Sequence, residues 1–466
     1  MYSATRQWNP GDEFILSGSR RIIDTALGTF EPVLYDRNPD VRPSDGTTPA
    51  YRTLKRPVDG KAGDIYEKLS AYLRLGFFSN SVKFDSDMSF AALAVLAGSP
   101  EWATPRCWSF YDHVFRNRLP LVGLGLGTMP EQLPGFMHEA LRSAVLLTTR
   151  SKRLAASDLA RRYGIDYLPC PALLSAPAAR QVSEVRRVAV VLGAPYRDAV
   201  WANGLEPGFF EHVCAGLDAL IAQHRGTIEF DFVVHYIDEI PVIRDRFPDH
   251  AVRYSFDAAE YYGIFEDYDL VVSTRVHGCG IAASLGIPSI SLGHDFRSDT
   301  TDGFLAAQVE LDDDPGVLLP AFDDLAGRAV EVSTGLQTHR QATLDEYVER
   351  VRAGFEGGVG DVSYGPEAIV PFADSVHDEL PGAQQLDTMI DDLVPVAGQL
   401  DETRSALEQV EASKAEMATE LDGARAAVVR LEGELAQTRD ELAQARNAPT
   451  GVRAAVKHWV KERVGR

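Results

Sequence analysis

Cysteine is scarce: the chain has 466 residues and only Cys107, Cys170, Cys214 and Cys279. None forms a CxxC pair, and no Cys/His cluster has the spacing of a zinc site. The four therefore read as reduced thiols in or near a core. Positive charge is also in short supply. Lys and Arg number 46 against 68 Asp and Glu, a formal net charge of -22. That balance excludes broad nucleic-acid binding, which needs a basic footprint. It also opposes anionic ligands at long range, so any anionic substrate must be held by locally placed Arg and His. Long apolar runs are missing too. Met1 to Gly11 is polar, without the apolar core of a signal peptide. No run approaches the roughly 20 apolar residues of a membrane span. A cytoplasmic protein is expected, with a qualification that the last residues supply.

What is present is the apolar content of a globular chain, 45% hydrophobic residues. Short β-like runs recur at Leu121–Gly127, Ala144–Thr149, Arg187–Gly193, Phe230–Tyr236, Leu270–Thr274 and Ser289–Gly293. Amphipathic stretches lie between them: Gly11–Leu27, Ser151–Tyr163, Pro207–Ala222, Asp257–Asp267 and His277–Leu285. Strands alternating with helices imply parallel sheets covered on both faces. The polar, Pro-containing stretch Ser175–Glu184 breaks the alternation and reads as a linker. The expected division is an N-terminal Rossmann-like domain over 1–180 and a C-terminal one over 185–330. Ligands of doubly wound folds sit beyond the carboxyl ends of the strands, here between the halves. Asn38–Gly63, rich in Pro, Asp, Gly and Arg, reads as a long loop over that cleft.

A helical and irregular linker is expected over 331–395, and composition changes sharply after it. Over 396–447, Leu400, Leu407, Lys414, Leu421, Val428, Leu435 and Leu442 fall at heptad position a. Position d carries Thr403, Val410, Met417, Ala424, Leu431, Thr438 and Ala445. This register predicts an α-helical coiled coil and a homo-oligomer, the alternative being one long solitary helix. Over 448–466, Val452, Val456, Trp459, Val460 and Val464 share a helical stripe flanked by Arg453, Lys457, Lys461, Arg463 and Arg466. Such a tail reads either as a peripheral contact with the inner face of a membrane or as a solvated helix.

The segment Asp269–Ser298 carries the most chemistry. A buried strand ends at Arg275, and a helix of small residues begins near His277. Both residues thus sit on a strand-to-helix turn at the carboxyl edge of a sheet. Arg offers a planar fork of donors for carboxylate or phosphate, and His exchanges protons near neutral pH. The helix N-terminus adds backbone N–H groups that favour an anion, and Gly278 and Gly280 permit close approach. The local pattern equally allows Arg275 to pair with a structural carboxylate and His277 to cap the helix.

Strand, Ser-x-Arg-x-His-Gly, small-residue helix, Gly-x-Pro and a second strand resemble the signature of polysaccharide pyruvyl transferases. Asn9-Pro10-Gly11-Asp12-Glu13 is similar to that family's Asn-x-Gly-Asp-Glu start. Val145–Pro171 resembles its strand, Arg and Ser-rich helix, with Arg150 at the matching arginine. His235 before Tyr236–Asp238 resembles a strand end with a His- and acid-containing loop. Together these cover about Asn9–Phe304. Two departures stand out. Ala97-Gly98-Ser99-Pro100-Glu101-Trp102 replaces a triple-glycine turn, and Arg297 stands where the family often has Lys.

The resemblance implies two Rossmann-like domains in a glycosyltransferase-B-like arrangement. It implies transfer of a pyruvyl group, as a ketal, from phosphoenolpyruvate to sugar hydroxyls of a surface or exported polysaccharide or its lipid-linked precursor. Arg275 and Arg150, with Arg297 as a weaker candidate, would clamp the donor. His277 would be the general acid and Asp12 the base for a sugar hydroxyl, unless Asp12 only caps its helix. Asn9, Gly11, Gly278, His235 and His294 would line the site. No metal or other cofactor is called for, phosphoenolpyruvate being a substrate. Two alternatives remain: a glycosyltransferase with a nucleotide-sugar donor, and a non-catalytic coiled-coil scaffold.

Overall fold

The computed structural model describes residues 2–4, 10–30, 32–36, 91–98, 102–103, 107–127, 130, 133–195, 205–235, 239–255, 258–293, 296–311, 314–356, 362–368, most of 413–444, and 450–464. Residues 1–396 form one compact unit and 397–466 a second. The Asn38–Gly63 loop, Asn9 and His294 lie outside the described residues.

The first unit is an α/β body with two six-stranded sheets. Strands β1 (Tyr2–Ala4), β2 (Leu34–Asp36), β3 (Ala94–Ala97), β4 (Leu121–Leu126), β5 (Leu146–Thr149) and β6 (Ile165–Tyr167) build the first, in order β2-β1-β3-β4-β5-β6. Strands β7 (Arg187–Val191), β8 (Glu229–Val233), β9 (Val252–Arg253), β10 (Leu270–Ser273), β11 (Ser289–Leu292) and β12 (Ala307–Val309) build the second, in order β12-β11-β10-β7-β8-β9. Every strand pair is parallel. The second sheet therefore has the dinucleotide-fold order, reversing direction between β7 and β10. The first has the flavodoxin-like order, reversing between β1 and β3.

The helices are α1 (Pro10–Leu27), α2 (Trp108–Arg116), α3 (Gly135–Ser143), α4 (Lys152–Ala155), α5 (Asp158–Tyr163), α6 (Pro207–Gln223), α7 (Glu239–Arg246), α8 (Glu260–Glu266), α9 (Val276–Ser284), α10 (Leu318–Gly327) and α11 (Ala329–Phe355). The stretch expected as one helix over Ser151–Tyr163 is two. Ser157 starts the second by accepting a hydrogen bond on Oγ from Ala160 N at 3.2 Å, which ends the first.

One apolar core runs through both halves, joining Phe14 and Ile22 of α1, Leu173, Val191, Ile281 of α9 and Tyr347 of α11. Each such side chain contributes about 1.5–3 kcal/mol by leaving water. A second core, with Leu96, Phe110 and Met137, backs the other face of the first sheet. The connector Ser175–Glu184 has no helix or strand, yet it is fastened: Ala176 and Val182 are buried, and Val182 N donates to Ser333 Oγ at 2.9 Å. Helix α11 returns from the second half to the first. Tyr347 Oη donates to Pro169 O at 2.8 Å, and Arg352 Nε donates to Ala26 O at 3.0 Å. Part of the 331–395 stretch is thus a strap holding the halves together.

In the second unit, helix covers 423–444 and Thr450–Val464. The heptad residues Val428, Leu431, Leu435 and Leu442 are exposed there. Much of the heptad register from 396 to 422 lies outside the described residues. No helix among the described residues is long and apolar enough to cross a membrane.

Candidate functional site

The site lies where both sheets reverse direction. At the second sheet's reversal, strands β7 and β10 end side by side. Thr274 N donates to Val191 O at 3.0 Å, and Gly193 N donates to Thr274 Oγ1 at 3.1 Å. The turn after β10 is fixed by Ser273, whose Oγ accepts from Arg275 N at 3.0 Å and donates to Arg275 O at 2.7 Å. Arg275 is the N-cap of α9, in extended backbone and without a side-chain capping bond. His277 is therefore inside the helix and does not cap it. A Cβ at Gly278 would overlap Ser273 Oγ, so this close packing of helix on strand end requires glycine.

The first half comes to meet this turn through α1. A Cβ at Gly11 would overlap Nδ1 of His277, so the N-terminal turn of α1 rests directly on the imidazole. Asp12 follows in that first turn, half-buried and already inside the helix, which begins at Pro10. From the end of β5, Arg150 reaches the other edge of the ring. Its guanidinium lies 3.2 Å from His277 Nε2 and donates to Cys170 Sγ at 3.3 Å. A guanidinium has only donors, so Nε2 accepts and the imidazole proton sits on Nδ1. Arg150 is 4% exposed, and among the described residues no carboxylate pairs with it.

His277 is half-buried by area but densely surrounded by protein atoms. Burial, then the Arg150 charge, with His235 and Arg297 adding to it, pushes its pKa well below the usual imidazole range. That shift favours the neutral imidazole in the unliganded protein. Arg297, in the 3-10 segment Phe296–Phe304, is half-buried and contributes its charge to the same site. His235, 3% exposed at the end of β8, packs edge-on against the Tyr261 ring. Burial and the neighbouring Arg275 lower its pKa to about 3.

The structure thus gathers Gly11, Arg150, His235, Arg275, His277, Gly278 and Arg297 around one crevice. It adds a residue the sequence reading missed. Glu239, 2% exposed at the start of α7, forms an ion pair with Arg275 and accepts from His235 N at 2.9 Å. Its only sequence signal was an acidic loop after His235, with nothing to single out this carboxylate among its neighbours. Cys170 also touches the site through Arg150, for which composition gave no hint.

Fold and site together define a two-sheet α/β protein with arginines and histidines gathered at the strand ends. The chain belongs to the polysaccharide pyruvyl transferase family, whose model matches residues 9–296. Comparison with curated proteins gave no match. Among solved structures it is similar to a UDP-GlcNAc 2-epimerase from Neisseria meningitidis, at 9% identity and TM-score 0.44, covering 75% of this chain and all of that one. It is also similar to MnaA of S. aureus, at 10% identity and TM-score 0.45, covering 78% of this chain and 99% of that one. A third is the glycosyltransferase SnogD from Streptomyces nogalater, at 15% identity and TM-score 0.41, covering 76% and 98%.

Proposed function

We propose that the chain transfers the pyruvyl group of phosphoenolpyruvate to two hydroxyls of a sugar in a surface or exported polysaccharide or its lipid-linked precursor. The observation that carries this reading is Arg150. Among the described residues no carboxylate pairs with it; a buried cation so placed is costly, and an anionic ligand removes the cost. The N-terminus of α1 adds N–H groups to the same place. Phosphoenolpyruvate brings a carboxylate and a phosphate, which Arg150, Arg297 and Arg275 would divide between them.

In the reaction, the enol methylene takes up a proton and becomes the methyl group. The C2 carbon then accepts the first sugar oxygen, the C2–O bond to phosphate breaks, and a second sugar oxygen closes the ketal. One hydroxyl proton balances the new C–H bond and the other leaves with phosphate. His277, beside Arg150 and the first turn of α1, would move the first proton. Neutral in the empty site, its imidazole gains proton affinity when donor charge offsets Arg150 and Arg297. Asp12, in the adjoining turn of α1, is the candidate base for a sugar hydroxyl.

The acceptor suggests a setting. We propose that the heptads of the second unit pair with another copy of the chain, and that the basic tail brings the assembly to a membrane carrying lipid-linked saccharides. Truncation before Leu400 should lower the subunit count in light scattering. An equal count would remove the heptads as the oligomerisation element. The enzymatic test is incubation with phosphoenolpyruvate and candidate sugars, followed by mass spectrometry. A pyruvyl adduct with release of phosphate supports the reading. Absence of calorimetric binding of phosphoenolpyruvate by the folded protein would overturn it.

A further inference from the structure

Arg275 and Glu239 form a buried pair on the crevice wall, with side chains 11% and 2% exposed. The pair spans the end of β10 and the start of α7, so it ties these two elements together. The guanidinium lies against the backbone of β7's exit. A Cβ at Gly193 would stand 3.1 Å from its Nε. The second oxygen of Glu239 is held by the backbone N–H of His235 at 2.9 Å, so the carboxylate itself cannot swing freely. Beside it, the buried Nε2 of His235 has no partner among the described residues. A guanidinium fixed on one side by backbone and on another by an anchored carboxylate has one orientation.

We propose that Glu239 is a positioning residue that sets the orientation of Arg275 and takes up its charge, so that this side of the crevice selects anions by geometry rather than by charge. The inference rests on the reading of Arg275 as a donor contact. With Glu239 in place, the pair has no net charge. A ligand must then match the direction of the Arg275 N–H groups to gain from them. A small symmetric anion such as inorganic phosphate gains little from that wall, whereas a planar carboxylate gains a fork. Replacing Glu239 by glutamine keeps the volume but gives the wall a net positive charge and a looser guanidinium. The geometric preference is then exchanged for a Coulombic one.

The test uses the full chain and calorimetric titration with two probes, phosphoenolpyruvate and inorganic phosphate. In Glu239→Gln, phosphate binding should tighten, and the ratio of phosphoenolpyruvate to phosphate affinity should fall by about tenfold or more, the size expected for an uncompensated charge close to the ligand. A purely structural role would lower the melting temperature and leave the ratio of the folded protein as in wild type, which overturns the proposal. Should Glu239→Gln not fold, Arg275→Lys keeps the ion pair but removes the fork. It should weaken phosphoenolpyruvate by about tenfold without tightening phosphate. Unchanged phosphoenolpyruvate binding there overturns the proposal as well. If wild type binds phosphate and not phosphoenolpyruvate, the functional reading fails, while the phosphate arm still decides the role of Glu239.

Discussion

The two walls of the crevice carry the same cation in opposite electrostatic states. Arg150, on the first half, is buried against a thiol and a neutral imidazole, both weak partners for a full charge. Arg275, on the second half, is matched by Glu239. Desolvation penalises both guanidiniums, but among the described residues only Arg275 has a carboxylate to offset it. The difference separates two tasks that one residue type performs. An uncompensated buried cation supplies attraction and remains unsatisfied until an anion arrives. A compensated one supplies direction. Sequence could not distinguish the two, since each arginine simply follows a buried strand.

The largest expected effect comes from breaking the compensated wall. Arg275→Ala leaves Glu239 charged, buried and without its cation, which typically costs about 3–5 kcal/mol of stability. Urea unfolding measures it. Removing the arginine of the opposite wall should behave differently. Arg150→Met removes a buried charge that no carboxylate among the described residues neutralises, so the unliganded protein should be as stable as wild type or more so. Its donor affinity should fall by about 1.5–3 kcal/mol, the value of a charge-assisted contact, or roughly 10- to 150-fold. If Arg150→Met proves as destabilising as Arg275→Ala, the contrast between the walls is wrong.

The histidines extend the comparison to pH. His235 titrates near 3 when folded, against an ordinary value of 6.5. Above about pH 6.5 it is neutral in folded and unfolded chains alike, and its contribution to stability is whole. As pH falls from 6.5 towards 3, the unfolded chain takes up a proton that the folded chain refuses, so stability is lost over that window. By pH 5 the loss from this one group is about 2 kcal/mol. His277 is shifted in the same direction by burial and Arg150 and adds to the loss. In His235→Leu, the difference between urea midpoints at about pH 7.5 and pH 5 should shrink. An unchanged difference would mean that His235 is protonated in the folded protein.

Periodicity made much of this architecture legible. The strands expected at Leu121–Gly127, Arg187–Gly193 and Leu270–Thr274 appear at Leu121–Leu126, Arg187–Val191 and Leu270–Ser273, because buried parallel strands are continuous apolar runs. Short, weakly patterned strands were not legible. Tyr2–Ala4 lies in a stretch that reads as merely polar, and pairs only because Leu34–Asp36 and Ala94–Ala97 flank it. Arg275 and His277 were legible because one turn carries both. Glu239 was not, because its importance comes from its burial and its pairing with Arg275, tertiary facts. The downward shift of His277 was equally hidden: it comes from burial first and then from Arg150, 127 residues away in sequence. The contact of Gly11 with His277 joins the two ends of the matched region, and local pattern cannot report such a meeting.

The smallest expected effect concerns a third placement of charge, outside the crevice. The body carries much of an acidic chain, whose net charge is -22, while the tail gathers Arg453, Lys457, Lys461, Arg463 and Arg466 against Glu462. Residues Thr450–Val464 are helical, with Trp459 46% exposed and the Arg463 guanidinium over its ring at 4.9 Å. Each basic residue near an anionic surface contributes about 1 kcal/mol, and valine anchors an interface weakly, so a single tail should bind reversibly. Salt should weaken it, because Lys457, Lys461 and Arg463 are exposed and such charges are screened within about 10 Å at 0.1 M. Pairing of chains through the heptads would place two tails on one surface and raise the apparent affinity without any new contact. Acidity of the body argues that only the tail approaches the lipid, since an anionic surface repels the rest. Co-sedimentation with anionic and neutral vesicles, comparing the full chain with one ending at Thr450, separates these contributions. The full chain should sediment with anionic vesicles at low salt and lose that binding as salt rises, and the shortened chain should stay in solution. Equal sedimentation of both chains, or equal binding to both vesicle types, would show that the basic stripe has no part in membrane contact.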